Sequence, residues 1–335
     1  MTPLYLVYDA FTRNPHVDWE RLHSLGLGVI NHVPLVEIDY PNLELIEQTS
    51  VVDGLSRRDV TWRTDRGELH EHYLGDADKG LLPWRNEYLV KKPDDYLTVL
   101  SALEGAVVRG SDLRFEQSET ELAGKGLTIG DMDRTPLQKI QIDYVGLERF
   151  CFDFAEQVPQ LRDLYELMRD IQLRQFRATV GSRATDLKLW ENMSIEVLGP
   201  HAFRDFLAPA YRDVLAIVND AGKRLHLHYD GRLKLIERDL QQLPFHGIDS
   251  LTPPPEGDLT FEEARQAWPD LFLWLHPTLE WFTQPLSTLR QRIEDSVRAV
   301  GPYRFCFQIS EDVPPQWHVT VPAVLETLQQ LTLRS

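Results

Sequence analysis

Short runs of apolar residues recur along this chain, separated by longer stretches in which apolar positions return every three or four residues. The first pattern predicts strands and the second helices. The runs LYLVYDAF, GVINHV, KGLTIGDM, DLKLWENM, KRLHLHYDG, GIDSLTPP, LFLWLHP and YRFCFQIS read as strands. VDWERLHSLG, PHAFRDFLAPAYRDVLAIVNDAG, LKLIERDLQQLP, TFEEARQAWPD, PLSTLRQRIEDSVRAVG and PAVLETLQQLTL read as helices. The middle of the chain, from LQKIQIDYVG to LRQFRAT, is strongly helical with interruptions at Gly146 and Pro159. Strands alternating with helices predict βαβ units around a parallel sheet. The expected fold is a (β/α)8 TIM barrel, with a doubly wound sheet as the alternative. One segment breaks the rhythm. SVVDGLSRRDVTWRTDRGELHEHYLG alternates in short β-like runs broken by DG and RG, the signature of a hairpin or meander. EYLVKKPDDYLTVLSALEG follows as a strand, a turn and a helix. The expectation is one domain spanning 1–335, with an N-terminal β-hairpin excursion over about 45–90.

Composition narrows the functional classes. A chain of 335 residues suits a barrel with insertions. Its formal net charge of −17, from 52 acidic and 35 basic side chains, disfavours nucleic acid as a partner, because neutralising phosphates needs a basic face. No run approaches the roughly 20 apolar residues of a membrane helix. The opening MTPLYLVYDAFTRNPHVDWE lacks a basic leader pattern, so a cytoplasmic location is expected. Cys151 and Cys306 are the only cysteines, which excludes a disulfide framework and a multi-cysteine zinc site within one chain.

The candidate chemistry begins with LHLHYDG. His226, His228 and Asp230 alternate with Leu227 and Tyr229, so a strand would place the three polar groups on one face. In a barrel, active sites sit at the C-terminal strand ends. Polar residues recur there: Asp9, Asp131, Glu191, His228 with Asp230, His276, and Glu311. Taken singly, each has a plainer reading, such as an oriented His–Asp pair, a solvated loop acid or a satisfied core histidine.

The order and spacing of several segments resemble the uroporphyrinogen decarboxylase superfamily, in particular its zinc-dependent corrinoid and coenzyme M methyltransferase branch. TWRTDRGELHE with EYLVKKPDDYLTVLSALE looks like that family's hairpin and following helix. RTPLQKIQIDYVGLERFCFDF looks like the segment ahead of its central helices. WENMSIEVLGPHAFRDFLAPAYRDVLAIVNDAGKRLHLHYDG is the most specific match, and FCFQISEDVPPQWHVTVPAVLETL is similar to the final strand, Pro-Pro loop and last helix. The methyltransferases carry a His-x-Cys-Gly signature where this chain reads HYDG. His228 therefore matches the histidine, Asp230 replaces the cysteine, and Glu311 falls where a third ligand, also a cysteine, is expected. The Arg-rich segment that grips uroporphyrinogen carboxylates has no counterpart near the N-terminus.

This resemblance implies a metal site of His228, Asp230 and Glu311, with Glu191 and His276 handling protons and Arg134 and His226 near the substrate. Replacing two thiolates by carboxylates hardens the site, so that zinc is expected first, with manganese or iron also admitted. The implied reaction is methyl transfer involving a small-molecule heteroatom, with a corrinoid on a partner protein possible. A metal-dependent lyase, such as a decarboxylase, or a hydrolase of a small organic acid is the alternative. A barrel that binds without turnover is a third reading. Homodimers are common in the family.

Overall fold

A computed structural model describes residues 6–9, 17–76, 81–309 and 316–334. Eight parallel strands close into a barrel: β1 (Leu6–Asp9), β2 (Gly28–Pro34), β9 (Gly126–Asp131), β10 (Asp186–Leu189), β11 (Arg224–His228), β12 (Gly247–Leu251), β13 (Phe272–Leu275) and β14 (Phe305–Ile309). Their order round the barrel is β1-β14-β13-β12-β11-β10-β9-β2. Helices separate them, as at Ala208–Asp220, Phe261–Ala267 and Leu286–Val300. This is a (β/α)8 barrel, and its eight strands are the eight read from the apolar runs.

By its contacts the chain divides into two units. The first, residues 1–35, 111–133 and 179–335, holds the barrel. The second, residues 36–110 and 134–178, contains two antiparallel sheets. One pairs β3 (Val36–Asp39) with β8 (Val107–Gly110). The other is a meander of β4 (Glu44–Val52), β5 (Leu55–Thr64), β6 (Gly67–Asp76) and β7 (Leu81–Glu87). The expected breaks at DG and RG are its turns. Asp53 and Gly54 both adopt left-handed backbone, at φ 51° and 78°, the conformation a two-residue hairpin turn requires.

Two helical or strand expectations shorten. LKLIERDLQQLP forms only a 3-10 turn, Lys234–Ile236, and the four-residue helix Glu237–Leu240. The Asp258 carboxylate accepts from the Leu233 and Lys234 backbone N–H groups there. EYLV is not a strand beyond Glu87. The Lys91 and Lys92 N–H groups instead reach the Asp95 side chain, which satisfies the backbone without a ladder.

The barrel interior is divided by sector. Ile30, Ile129, Trp274 and Cys306 form its apolar cluster, with Val7 and Phe272 packed against it. The strands β10, β11 and β12 contribute the ion-paired groups Asp186, Lys188, His226, His228 and Asp249. Near the N-terminal ends of β10 and β11, Arg224 donates twice to Asp186, at 2.6 Å each. The Trp274 indole N–H donates to His226 Nδ1 at 3.2 Å, so His226 Nε2 carries the proton and donates to Asp186 at 2.9 Å. The ring needs space that its neighbour provides: a Cβ at Gly247 would lie 2.4 Å from His226 Nδ1.

Burial pushes the Asp186 carboxyl up, but Arg224 and His226 outweigh it and hold it well below the usual carboxylate range. Its contribution to stability is therefore full above roughly pH 4 and lost as pH falls through the lower folded-state value. Asp186→Ala should cost about 1–3 kcal/mol, because it leaves the buried His226 Nε2–H without its acceptor while the half-exposed Arg224 returns to solvent. Urea denaturation of the variant at neutral pH measures this, and its deficit should shrink in strong acid.

Candidate active site

The C-terminal mouth of the barrel is built on a buried chain of charge. Lys188 and Asp249, 0% and 1% exposed at their side chains, form an ion pair at 2.7 Å. The same carboxylate oxygen, Asp249 Oδ2, accepts from His228 Nδ1 at 2.5 Å. Register brings them together, because His228 on β11 lies directly beside Asp249 on β12. Lys188 faces inward with Asp131 and His226, its neighbours across β9 and β11. Burial raises the Asp249 carboxyl, yet Lys188 and His228 reverse that and hold it far below its ordinary range. An anion so deep keeps its charge only because two cationic or donating groups converge on it.

Fixing Nδ1 on Asp249 aims His228 Nε2 at Asp230, whose Oδ2 lies 3.7 Å away. That separation is too long for a hydrogen bond. Burial disfavours the imidazolium, but Asp230 and Asp249 outweigh it and raise the His228 value. Trp190 walls this corner. The Lys188 ammonium lies 3.6 Å from its ring centre, and the His228 and His32 rings pack at 5.1 Å and 4.7 Å.

His276 behaves in the opposite sense. The Thr252 hydroxyl donates to the Ser250 carbonyl at 2.9 Å. It can therefore only accept from His276 Nδ1, 3.2 Å away, which leaves Nε2 as the basic nitrogen. Burial first, and the charge of His228 second, lower its value to about 4. His276 is thus neutral near pH 7, while His228 is biased toward its charged form.

The backbone at the mouth is unusual. Asp133, Asn192 and Ser250, at or just beyond strand ends, have φ of 60°, 47° and 59°. Asp and Asn tolerate this region, but a serine there costs about 1–3 kcal/mol. Ser250 lies where the β12–β13 register shifts, and such irregularities re-aim strand-end side chains.

Of the residues expected from the sequence, His228, Asp230 and His276 surround this mouth. Glu311 lies outside the described residues, and so does the side chain of Asp9. Asp131 is at the mouth; burial raises its carboxyl, and it accepts from the Asp133 N–H at 2.9 Å. His226 has both ring nitrogens committed to Asp186 and Trp274, which leaves neither for a substrate. Glu191 is fully buried and is bonded to Tyr211, which accepts from Tyr229 at 2.8 Å. It thus lies beside a buried tyrosine pair. Arg134 belongs to the second unit, where its guanidinium lies 3.7 Å from Asp143.

Lys188, Asp249 and Gln308 were not anticipated. Two steps along β14 from Cys306, Gln308 shares its inward face. It is fully buried, and among the described residues neither end of its amide has a hydrogen-bond partner; the same holds for Asp249 Oδ1. A charged or amide side chain inside a run such as DLKL, GIDSL or FCFQI is the signal that reveals such residues, since burial there demands a partner.

No protein-family model matches the chain, and no curated protein matches its sequence. Among solved structures, it is similar to a B12-independent methionine synthase from Shewanella sp. W3-18-1 in complex with selenomethionine. The TM-score is 0.49 and the identity 8%, over 94% of this chain and 85% of that one. It is also similar to the tandem GH20 catalytic modules of the pneumococcal exo-beta-D-N-acetylglucosaminidase StrH. There the TM-score is 0.39 and the identity 9%, over 98% and 84% of the two chains. Likenesses this faint assign neither a family nor an activity.

Two outcomes test the site's energetics. Lys188→Met alone should destabilise by about 3–5 kcal/mol, and Lys188→Met with Asp249→Leu by less, because the pair leaves together. Gln308→Leu should raise stability by about 1 kcal/mol, since it removes an unsatisfied buried amide. Chemical denaturation of the three variants reads both.

Proposed function

We propose that the chain is a metal-dependent enzyme of methyl-transfer type, activating a small-molecule heteroatom at the barrel mouth. One observation carries this reading: His228 is locked by Asp249 so that its Nε2 confronts the Asp230 carboxylate at 3.7 Å. Two ligands bonded at about 2.1 Å in a tetrahedral site stand about 3.4 Å apart, so the pair fits two corners around one ion. A carboxylate holding the other nitrogen of a histidine is the usual support for a metal ligand. Among the described residues no group of three His, Cys, Asp or Glu side chains completes a site. Glu311, assigned from the sequence resemblance, would supply the third donor.

Zinc, or manganese or iron(II) given the oxygen donors, would be held by these residues. When bound, it supplies Lewis acidity that lowers the pKa of a coordinated heteroatom. The remaining roles belong to the chain. Asp249 fixes the His228 tautomer, and Lys188 neutralises Asp249. His276 Nε2 accepts the proton that the substrate loses, and Trp190 excludes water from that corner. The methyl donor or acceptor would be a corrinoid protein, a methylated amine, an aryl methyl ether or a folate.

A second reading, a metal-dependent decarboxylase or hydrolase of a small acid, draws on Asp230 standing where the methyltransferases have a thiolate. The harder donor set suits carbonyl polarisation.

Elemental analysis of the purified protein should find stoichiometric divalent metal, lost in His228→Ala, Asp230→Ala and Glu311→Ala. A folded wild type that takes up no zinc, manganese or iron would refute the proposal. Methyl-cobalamin or methylated-product formation, against carbon dioxide release, separates the two chemistries. His276→Ala should lower kcat by about 10²–10⁴-fold with metal content unchanged.

A further inference from the structure

The two outer edges of the meander are built differently. On β7, Pro83 interrupts the row of backbone donors, and the register against β6 shifts twice. Proline and irregular register are the devices by which sheet edges avoid pairing with other chains. On β4 there is neither. Its sequence ELIEQTSVV contains no proline, lysine or arginine. All nine residues keep unbroken register with β5, from Glu44 opposite Arg63 to Val52 opposite Leu55. Among the described residues, β4 is paired with β5 alone. It is also exposed, with Leu45 at 53%, Val51 at 76% and Val52 at 40%. A long, regular, partly apolar edge of this kind is a template for another strand.

The sequence of β4 favours a second copy of itself. In an antiparallel pairing centred on Gln48, all nine residues overlap. Leu45 then faces Val51 of the second copy, and the reverse pair forms by symmetry. Ile46 faces Ser50, Glu44 faces Val52, and Glu47 faces Thr49. No two glutamates stand directly opposite each other, and Glu47 already has Arg58 within 3.8 Å. Centring on Glu47 instead would set Glu47 against its own copy, a destabilising like-charge pair. A two-fold contact requires a self-complementary patch, and this register provides one.

We propose that the chain forms a homodimer by antiparallel pairing of β4 with β4, joining two four-stranded meanders into one continuous eight-stranded sheet. This proposal is independent of the chemistry assigned to the barrel.

Sedimentation equilibrium of the full chain tests it. The mass should move with concentration from 38.8 kDa toward twice that value. Leu45→Glu with Val51→Glu sets like charges directly opposite at both apolar pairs and should weaken dimerisation about tenfold or more. Leu45→Lys with Val51→Glu sets opposite charges at the same positions and should restore it. Circular dichroism checks that both variants keep their fold. A wild type that stays at 38.8 kDa overturns the proposal. So does a double-glutamate variant that dimerises normally, or a folded Lys/Glu variant that remains monomeric.

Discussion

The mouth of this barrel depends on one buried carboxylate. Asp249 is surrounded by protein and would be neutral there without help, yet Lys188 and His228 converge on a single oxygen and keep it ionised. The geometry of the mouth follows from that anion. It selects the tautomer of His228, points the other nitrogen at Asp230, and fixes the ammonium of Lys188 against Trp190. A buried pair of this kind is a poor source of net stability, because desolvation offsets much of the attraction. Its value lies in orientation: each partner has one place where its charge is tolerable.

The fold was open to sequence reading because parallel barrel strands are buried on both faces. DLKL, RLHLH, GIDSL, FLWL and FCFQI are compact apolar runs bounded by turn residues, and each became a strand. The meander was equally visible, since its DG and RG turns have few alternative conformations. The misreadings concern length. At EYLVKK the Asp95 carboxylate caps the turn the sequence placed there, but the strand already stops at Glu87. At LKLIERDLQQLP the Asp258 carboxylate caps the first N–H groups, but the helix ends at Leu240; where an element stops is not encoded in its periodicity.

The site was legible only in part. His228, Asp230 and His276 occur where strands end, and position in a barrel gives that location meaning. Lys188 and Asp249 lie inside their strands, and reading them requires knowing which strands adjoin. Once β10, β11 and β12 are neighbours, a lysine and an aspartate in otherwise apolar runs become a pair by necessity. His226 shows the converse. Alternation correctly put it on the face of His228, but one strand step toward the N-terminal end set it between Asp186 and Trp274, with both ring nitrogens held.

The division of the barrel interior into an apolar sector and a polar one has an evolutionary consequence. The pairs Asp186–Arg224, Asp186–His226, Lys188–Asp249 and His228–Asp249 all join neighbours on three consecutive strands, so residues 186–251 carry much of the interior's electrostatics. Mutations could re-tune that segment while Ile30, Ile129, Trp274 and Cys306 preserve closure. A scaffold so partitioned can diversify its reactivity without renegotiating its architecture.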